Sequence, residues 1–271
     1  MDTKSETILS DPPVLRIENL SVRRSGKLIL KDIDLTLTNG EFVGIVGPNG
    51  SGKSTLLLTI LGILKPEKGF VKIHDNLPMS PRIYDKLGWV SQAASHLPKN
   101  VRITVRELVH LGTIKVGNMF MESDKNGARE RVGNAIKMVG LEDVADVSID
   151  RLSGGQRQRA VIARALASKS DFILFDEPLV GIDRETRNDL LKLLDDLCHN
   201  EGKTILMVSH DLTAIRQTAH RMIYLEESIR FDGPTEDFPD LVSLANLRGI
   251  KPVHSDNHTE NLLVNFNEKL K

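Results

Sequence analysis

The chain has 271 residues, with 40% hydrophobic and 27% charged side chains, an ordinary globular composition that excludes a disordered or membrane-embedded class. Its 36 Lys and Arg balance 37 Asp and Glu, and aromatics make up only 4%. That argues against a nucleic-acid binder held by phosphate charge or by base stacking.

Residues 1–13 are polar, end in two prolines and read as a frayed arm without signal-peptide character. Leu15, Ile17, Leu20 and Val22, then Leu30, Ile33, Leu35 and Leu37, give near-alternating strands, and Asn39-Gly40 marks a turn. The run Phe42–Val46 suits a strand covered on both faces, as do Phe172–Phe175 and Ile205–Val208. A helix is expected over Ser54–Leu64. Thr104 and Glu107 form a capping box for a short helix with Gly112 as its stop. Val132, Ala135, Ile136 and Val139 share one face of a helix over Asp124–Val139, which Gly140 ends. Met222–Asp232 reads as a closing hairpin. Short buried strands separated by helices predict a mainly parallel α/β sheet, with a helical insertion at about residues 93–150. The single cysteine, Cys198, cannot close an internal disulfide and fits a reducing cytosol. No apolar run approaches the roughly 18 residues needed to cross a bilayer.

Three motifs carry chemistry. Gly47-Pro48-Asn49-Gly50-Ser51-Gly52-Lys53-Ser54-Thr55 follows a predicted strand and opens a helix. Its glycines let backbone N–H groups turn toward a polyphosphate, and the helix N-terminus adds its dipole there. Lys53 can reach the β- and γ-phosphates and Ser54 can ligate Mg²⁺. In Phe172–Pro178 a buried strand delivers Asp176 at its carboxyl end, where an open α/β sheet places its ligands. Asp176 can hold the Mg²⁺ shell, and Glu177 is placed to polarise the water that attacks the γ-phosphate. In Leu152-Ser153-Gly154-Gly155-Gln156, Ser153 is an N-cap candidate for a helix over Ala160–Ala167, and the glycines leave N–H groups open for an anion. Arg157 and Arg159 read as a solvated helix face.

With Gln92, Asp183 and His210 in order around these motifs, the chain resembles the ATP-binding subunits of ABC transporters over about residues 14–236. The resemblance implies a P-loop NTPase (RecA-like) sheet with an antiparallel β subdomain and an inserted helical subdomain, followed by a polar tail over 237–271. It implies a homodimer that sandwiches two ATP molecules with Mg²⁺. Each site would take the phosphate loop from one copy and Ser153, Gly154, Gly155 and Gln156 from the other. Gln92 would sense Mg²⁺ and the γ-phosphate, His210 would contact the γ-phosphate, and Asp183 would lie across the dimer interface. The partners implied are an integral membrane permease and, indirectly, an extracytoplasmic substrate-binding protein, with no nucleic acid. The place implied is the cytoplasmic face of the membrane. The stretch Gln92–Gly112 is similar to the zinc, manganese and iron importers and to the iron-chelate importers, and Asp176–Asp183 is closer to the metal-ion branch. An iron-chelate importer and an ABC ATPase of the iron–sulfur assembly type are the alternatives.

One position departs from the family. Where an aromatic residue usually stacks on adenine, the chain has Ser21–Gly26, with Arg24 nearest. A guanidinium plane can stack on a purine in its place. Met119-Phe120-Met121 reads as core packing. His254 and His258 read as part of a solvated tail, with a weak metal site as the alternative.

Overall fold

The computed structural model describes residues 12–91, 102–114, 125–240 and 243–244. Gln92, Met119–Met121, His254 and His258 lie outside them. The chain divides into two compact units, Met1–Glu236 and Asp237–Lys271, and all the strands and α-helices named below belong to the first.

Strands β1 (Leu15–Arg24), β2 (Lys27–Leu37) and β4 (Lys68–Ile73) form an antiparallel sheet in the order β2-β1-β4. The hydrophobic alternation skips one residue in each of the first two strands, from Ile17 to Leu20 and from Leu30 to Ile33. At those places Asn19 and Asp32 adopt positive φ and the register shifts. The two bulges keep Leu20, Val22 and Ile33 facing inward despite the skip.

The second sheet has six strands. They are β5 (Leu87–Val90), β6 (Phe172–Asp176), β7 (Thr204–Val208), β3 (Phe42–Val46), β8 (Arg221–Glu226) and β9 (Ser228–Pro234), in that spatial order. Pairing is parallel except for the β8–β9 hairpin. Every residue of β3 and β7 is buried, as their apolar runs predict. Phe42, Phe172 and Phe175 are fully enclosed, and burying each contributes about 1.5–3 kcal/mol relative to exposure. The helices are α1 (Lys53–Ile60), α2 (Val105–His110), α3 (Lys125–Met138), α4 (Gly154–Ala167), α5 (Arg184–His199) and α6 (Leu212–Thr218). Helix α5 buries Leu190, Leu191, Leu194, Leu197 and Cys198 along one stripe.

Four local expectations change. Helix α1 ends at Ile60 rather than Leu64, because the chain turns at Gly62, which has φ 74°. Gly112 does not stop a helix. It sits in a 3-10 turn where an added Cβ would fall 1.9 Å from the Arg164 carbonyl of α4, so its role is close approach. Helix α4 begins at Gly154 rather than Ala160, since Ser153 caps it there. Arg159 is half-buried rather than solvated; its Nη1 donates to the Val139 carbonyl just past α3, at 3.1 Å.

The carboxyl ends of β3, β6 and β7 lie side by side. The three segments that leave them are the phosphate loop, the turn after Asp176 and the Ser209–Asp211 link into α6, so the sheet gathers three separate motifs at one edge.

Candidate active site

The phosphate loop leaves β3 at Val46 and enters α1 at Lys53, with Gly47, Gly50 and Gly52 at positive φ. Gly52 is the N-cap and supplies no side-chain acceptor, so the first N–H groups of α1 keep their capacity for an anion. Lys53 is buried at 8% exposure, and its Nζ donates to the carbonyls of Gly47 (2.8 Å) and Pro48 (2.9 Å). Burial lowers its pKa, while the charges of Glu177 and Asp176 act in the other direction. A desolvated ammonium held by two carbonyls is a strong partner for a phosphate oxygen.

Asp176 ends β6. Burial, and then the neighbouring charge of Glu177, raise its carboxyl above the usual carboxylate range, with Lys53 opposing. Its Oδ1 is buried and has no hydrogen-bond partner among the described residues. An orphaned carboxylate oxygen in the same cleft as the Ser54 hydroxyl is a donor set that fits a hard divalent cation.

Glu177 has a left-handed backbone, φ 51°, which costs an unbranched L-residue about 1–2 kcal/mol. Its N–H bonds to the Val208 carbonyl at 2.9 Å, and its Oε2 accepts from the backbone N–H of His210 (3.2 Å) and from His210 Nδ1 (2.8 Å). A carboxylate opposite Nδ1 places the His210 proton on that nitrogen and leaves Nε2 as the free ring atom. Glu177 is 13% exposed and His210 65%.

One cleft of about 570 Å³ brings these groups together. Arg24, Asn49, Gly50, Gly52, Lys53, Ser54, Thr55, Asp176, Glu177 and His210 all line it. Gly47, Pro48 and Ser51 belong to the loop behind that lining, with Ser51 buried at 4% exposure. Ile29 and Val180 also line the cleft and had not been expected there. Ile29 could have been found as a half-buried apolar residue early in β2, close to Arg24 across the Ser25-Gly26 turn.

Leu152–Gln156 are not part of this lining. Ser153 Oγ accepts from the N–H of Gln156 (3.2 Å), and Gln156 Oε1 accepts from the N–H of Ser153 (3.0 Å), a reciprocal cap on α4. Ser153 and Gly154 are exposed. A Cβ on Gly155 would meet the Thr186 methyl at 2.8 Å, so this glycine lets the start of α4 sit against α5. Asp183 caps α5, accepting from the Thr186 N–H (2.9 Å) and hydroxyl (2.8 Å). Those two bonds hold its carboxyl below the usual range.

A second group of polar side chains lies elsewhere. Asp195, His199 and His220 place one ligand atom each within 4.8 Å of one another. Their hydrogen bonds already account for the arrangement. Phe42 N–H donates to His220 Nδ1 at 3.2 Å, so the neutral ring carries its proton on Nε2. That nitrogen faces His199 Nε2 at 3.2 Å, and His199 Nδ1 faces Asp195 at 3.2 Å. A metal ligand needs the opposite tautomer at His220.

A family profile described as ABC transporter matches residues 30–180. The zinc uptake system ATP-binding protein ZurA of Listeria monocytogenes is 35% identical over 83% of this chain and 87% of its own. The manganese transport system ATP-binding protein MntB of Halalkalibacterium halodurans is 36% identical over 85% of this chain and 91% of its own. Among solved structures, a dimeric ATP-binding cassette in a post-hydrolysis state bound to ADP and Pi superposes with a TM-score of 0.70. It is 32% identical and is matched over 83% of this chain and 100% of its own.

Proposed function

Because the chain belongs to the ABC transporter family, we propose that it is one of two identical ATPase subunits that energise import of a divalent metal ion through a separate membrane permease. It is an ATP-binding and ATP-hydrolysing subunit. The reading of the chemistry rests on one observation: Lys53, Ser54, Asp176, Glu177 and His210, from three separate segments, line a single cleft.

In this reading residues 14–236 are the ATPase domain, with its helical insertion at about 93–150, and 237–271 is an accessory tail. The loop N–H groups and Lys53 bind the β- and γ-phosphates of ATP. Ser54 and Asp176, with Gln92, would hold Mg²⁺, which neutralises charge on the transferring phosphoryl group when bound. Glu177 orients and polarises the attacking water. Its Oε2 is engaged by His210, so Oε1 is the oxygen left for that water. His210 Nε2 reaches the γ-phosphate while Nδ1 stays on Glu177. The Ser153 hydroxyl and the N–H groups of Gly154 and Gly155, with Gln156, serve the site of the opposing copy. The exposure of Ser153 and Gly154, outside the chain's own cleft, supports this arrangement.

No helix among the described residues is long and apolar enough to cross a membrane. In this reading the subunit works at the cytoplasmic face of the membrane, bound to its permease, with an extracytoplasmic binding protein delivering cargo. A metal cargo is supported by relatives named for zinc and manganese. The test is uptake of zinc, manganese and iron by a strain lacking this gene and any redundant uptake system. Loss of uptake of one of these ions is expected. Unchanged uptake of all three would overturn the cargo.

A further inference from the structure

The segment that carries His210 is tied down by a residue outside the cleft. Asp211 follows His210 and caps α6, its Oδ1 accepting from the Ala214 N–H at 3.0 Å. Its other oxygen, Oδ2, accepts from Arg187 Nη1 at 2.8 Å. Arg187 stands on the first turn of α5, where its N–H bonds to the Asp183 carbonyl at 3.0 Å. Thr186, one residue earlier, is fixed to Asp183 and fills the space beside Gly155. The first turn of α5 therefore touches three segments at once: the Asp183 turn, the start of α4 and the His210 link.

We propose that Arg187 is a positioning residue for ATP hydrolysis. Through Asp211 it fixes where His210 stands, and through His210 where the Glu177 carboxylate stands, relative to the Asp183 turn. This rests on the roles assigned above to Glu177 and His210. His210 is mostly exposed and sits on a short link between Val208 and the seven-residue helix α6, so little packing holds it. Glu177 takes two of its hydrogen bonds from that same residue. Without the guanidinium, Asp211 keeps its cap bond to Ala214 and Ser209 keeps its backbone bond to Ile45, but the carboxylate loses its counter-ion and the link loses its tie to α5. The contacts that grip phosphate, from Lys53 and the loop, are untouched. The loss therefore falls on turnover and leaves nucleotide affinity in place.

Arg187 meets Asp211 through one nitrogen, and its Nε is buried without a partner among the described residues. A single-point contact needs a charge in the right place more than a planar fork, so lysine is expected to substitute.

The experiment is steady-state ATP hydrolysis by the purified full-length chain, with thermal midpoints recorded for each variant. Arg187→Ala should lower kcat about 10- to 100-fold while KM for MgATP stays within about twofold. Arg187→Lys should recover most of the rate. Asp211→Asn, which keeps an acceptable cap, should lower kcat similarly, and adding Arg187→Ala to it should cost little more. A wild-type kcat in Arg187→Ala would overturn the proposal. So would a KM that rises in step, a loss not rescued by lysine, or losses that multiply in the double variant. Glu177→Gln serves as the reference. If it hydrolyses ATP at the wild-type rate the site assignment itself fails, whereas an inactive Glu177→Gln beside a fully active Arg187→Ala sinks only the role of Arg187.

Discussion

The phosphate-loop cleft and the start of α4 are two glycine-rich helix N-termini built in opposite ways. The cleft is backed by fully buried strands, and its charged groups are desolvated against one another: Lys53 is pushed down by burial and Asp176 is pushed up. The start of α4 is exposed, satisfied by its own Ser153–Gln156 cap, and rests on α5 through the small Gly155. Burial disfavours the charged forms of Lys53 and Asp176, and a phosphate beside the ammonium would offset that cost at Lys53. The α4 terminus is already capped, and its residues lie outside the cleft lining of its own chain. One is a set of desolvated charges, and the other is a capped helix end in which Ser153 and Gly154 face solvent.

The largest expected effect would break the cleft alone. Glu177→Gln should reduce the hydrolysis rate on the order of 10²–10⁴-fold, the usual contribution of a positioned general base. Binding of a fluorescent ATP analogue should persist, because the amide keeps the shape of the carboxylate and Lys53 is unchanged. Loss of binding along with rate would mean that Glu177 holds the structure of the cleft and does not serve the chemistry.

The next test asks whether the two devices belong to different chains. Lys53→Ala removes the cleft's ammonium, and Ser153→Arg blocks the α4 terminus. Each variant alone should be nearly inactive. An equimolar mixture should regain hydrolysis, because a mixed pair rebuilds one site from the intact cleft of one chain and the intact α4 of the other. A mixture as inactive as its components would place both devices in the service of a single chain.

A smaller effect measures the tension in the cleft directly. The folded-state pKa of Asp176 is raised, so the folded state binds this proton more tightly than the unfolded chain does. The ionised carboxylate therefore costs stability as pH rises from its unfolded pKa through the raised folded value. Asp176→Asn removes that charge. Without nucleotide, at neutral pH, its thermal midpoint should rise, by about 2–4 °C for each kcal/mol relieved. The gain should vanish at a pH below the unfolded pKa of the carboxyl, and hydrolysis should be lost. A lowered midpoint at neutral pH would show that attraction to Lys53 outweighs burial.

What the sequence made legible follows the same division. The buried strands could be read because their apolar runs are continuous, and the phosphate loop and Asp176 lie directly at strand ends. Sequence predicts a cap at the α4 terminus but a later helix start, because two adjacent glycines resemble a loop. Only the Thr186 methyl in the space beside Gly155 shows why a glycine is needed inside that first turn. Arg159 and Gly112 were misread for a related reason: both meet another helix, at the Val139 and Arg164 carbonyls, and no local pattern announces a tertiary contact. The Arg187–Asp211 pair was invisible too. It spans two elements and depends on which way α5 faces.

The smallest expected effect concerns the rim of the cleft, where Arg24 and Ile29 stand in place of an aromatic platform. The triphosphate is shared by ATP and GTP, so Lys53, Ser54 and the loop cannot tell them apart. Selectivity has to come from the base. A guanidinium over a purine face contributes about 0.5–2 kcal/mol as a cation–π contact. Ile29 adds an apolar wall, which favours any base equally. Neither reads the exchange of an amino group for a carbonyl on the purine edge. GTP should therefore be hydrolysed at a rate within about tenfold of ATP, the equivalent of roughly 1.4 kcal/mol. Arg24→Ala should raise KM for both nucleotides and leave kcat nearly unchanged, since a base contact is equally strong in the ground and transition states. Ile29→Ala should act in the same sense, because it shortens the wall without touching the phosphates. If Arg24→Ala leaves KM unaltered while Ile29→Ala raises it, the base rests on the β2 side chain alone and Arg24 is a solvated strand-end residue.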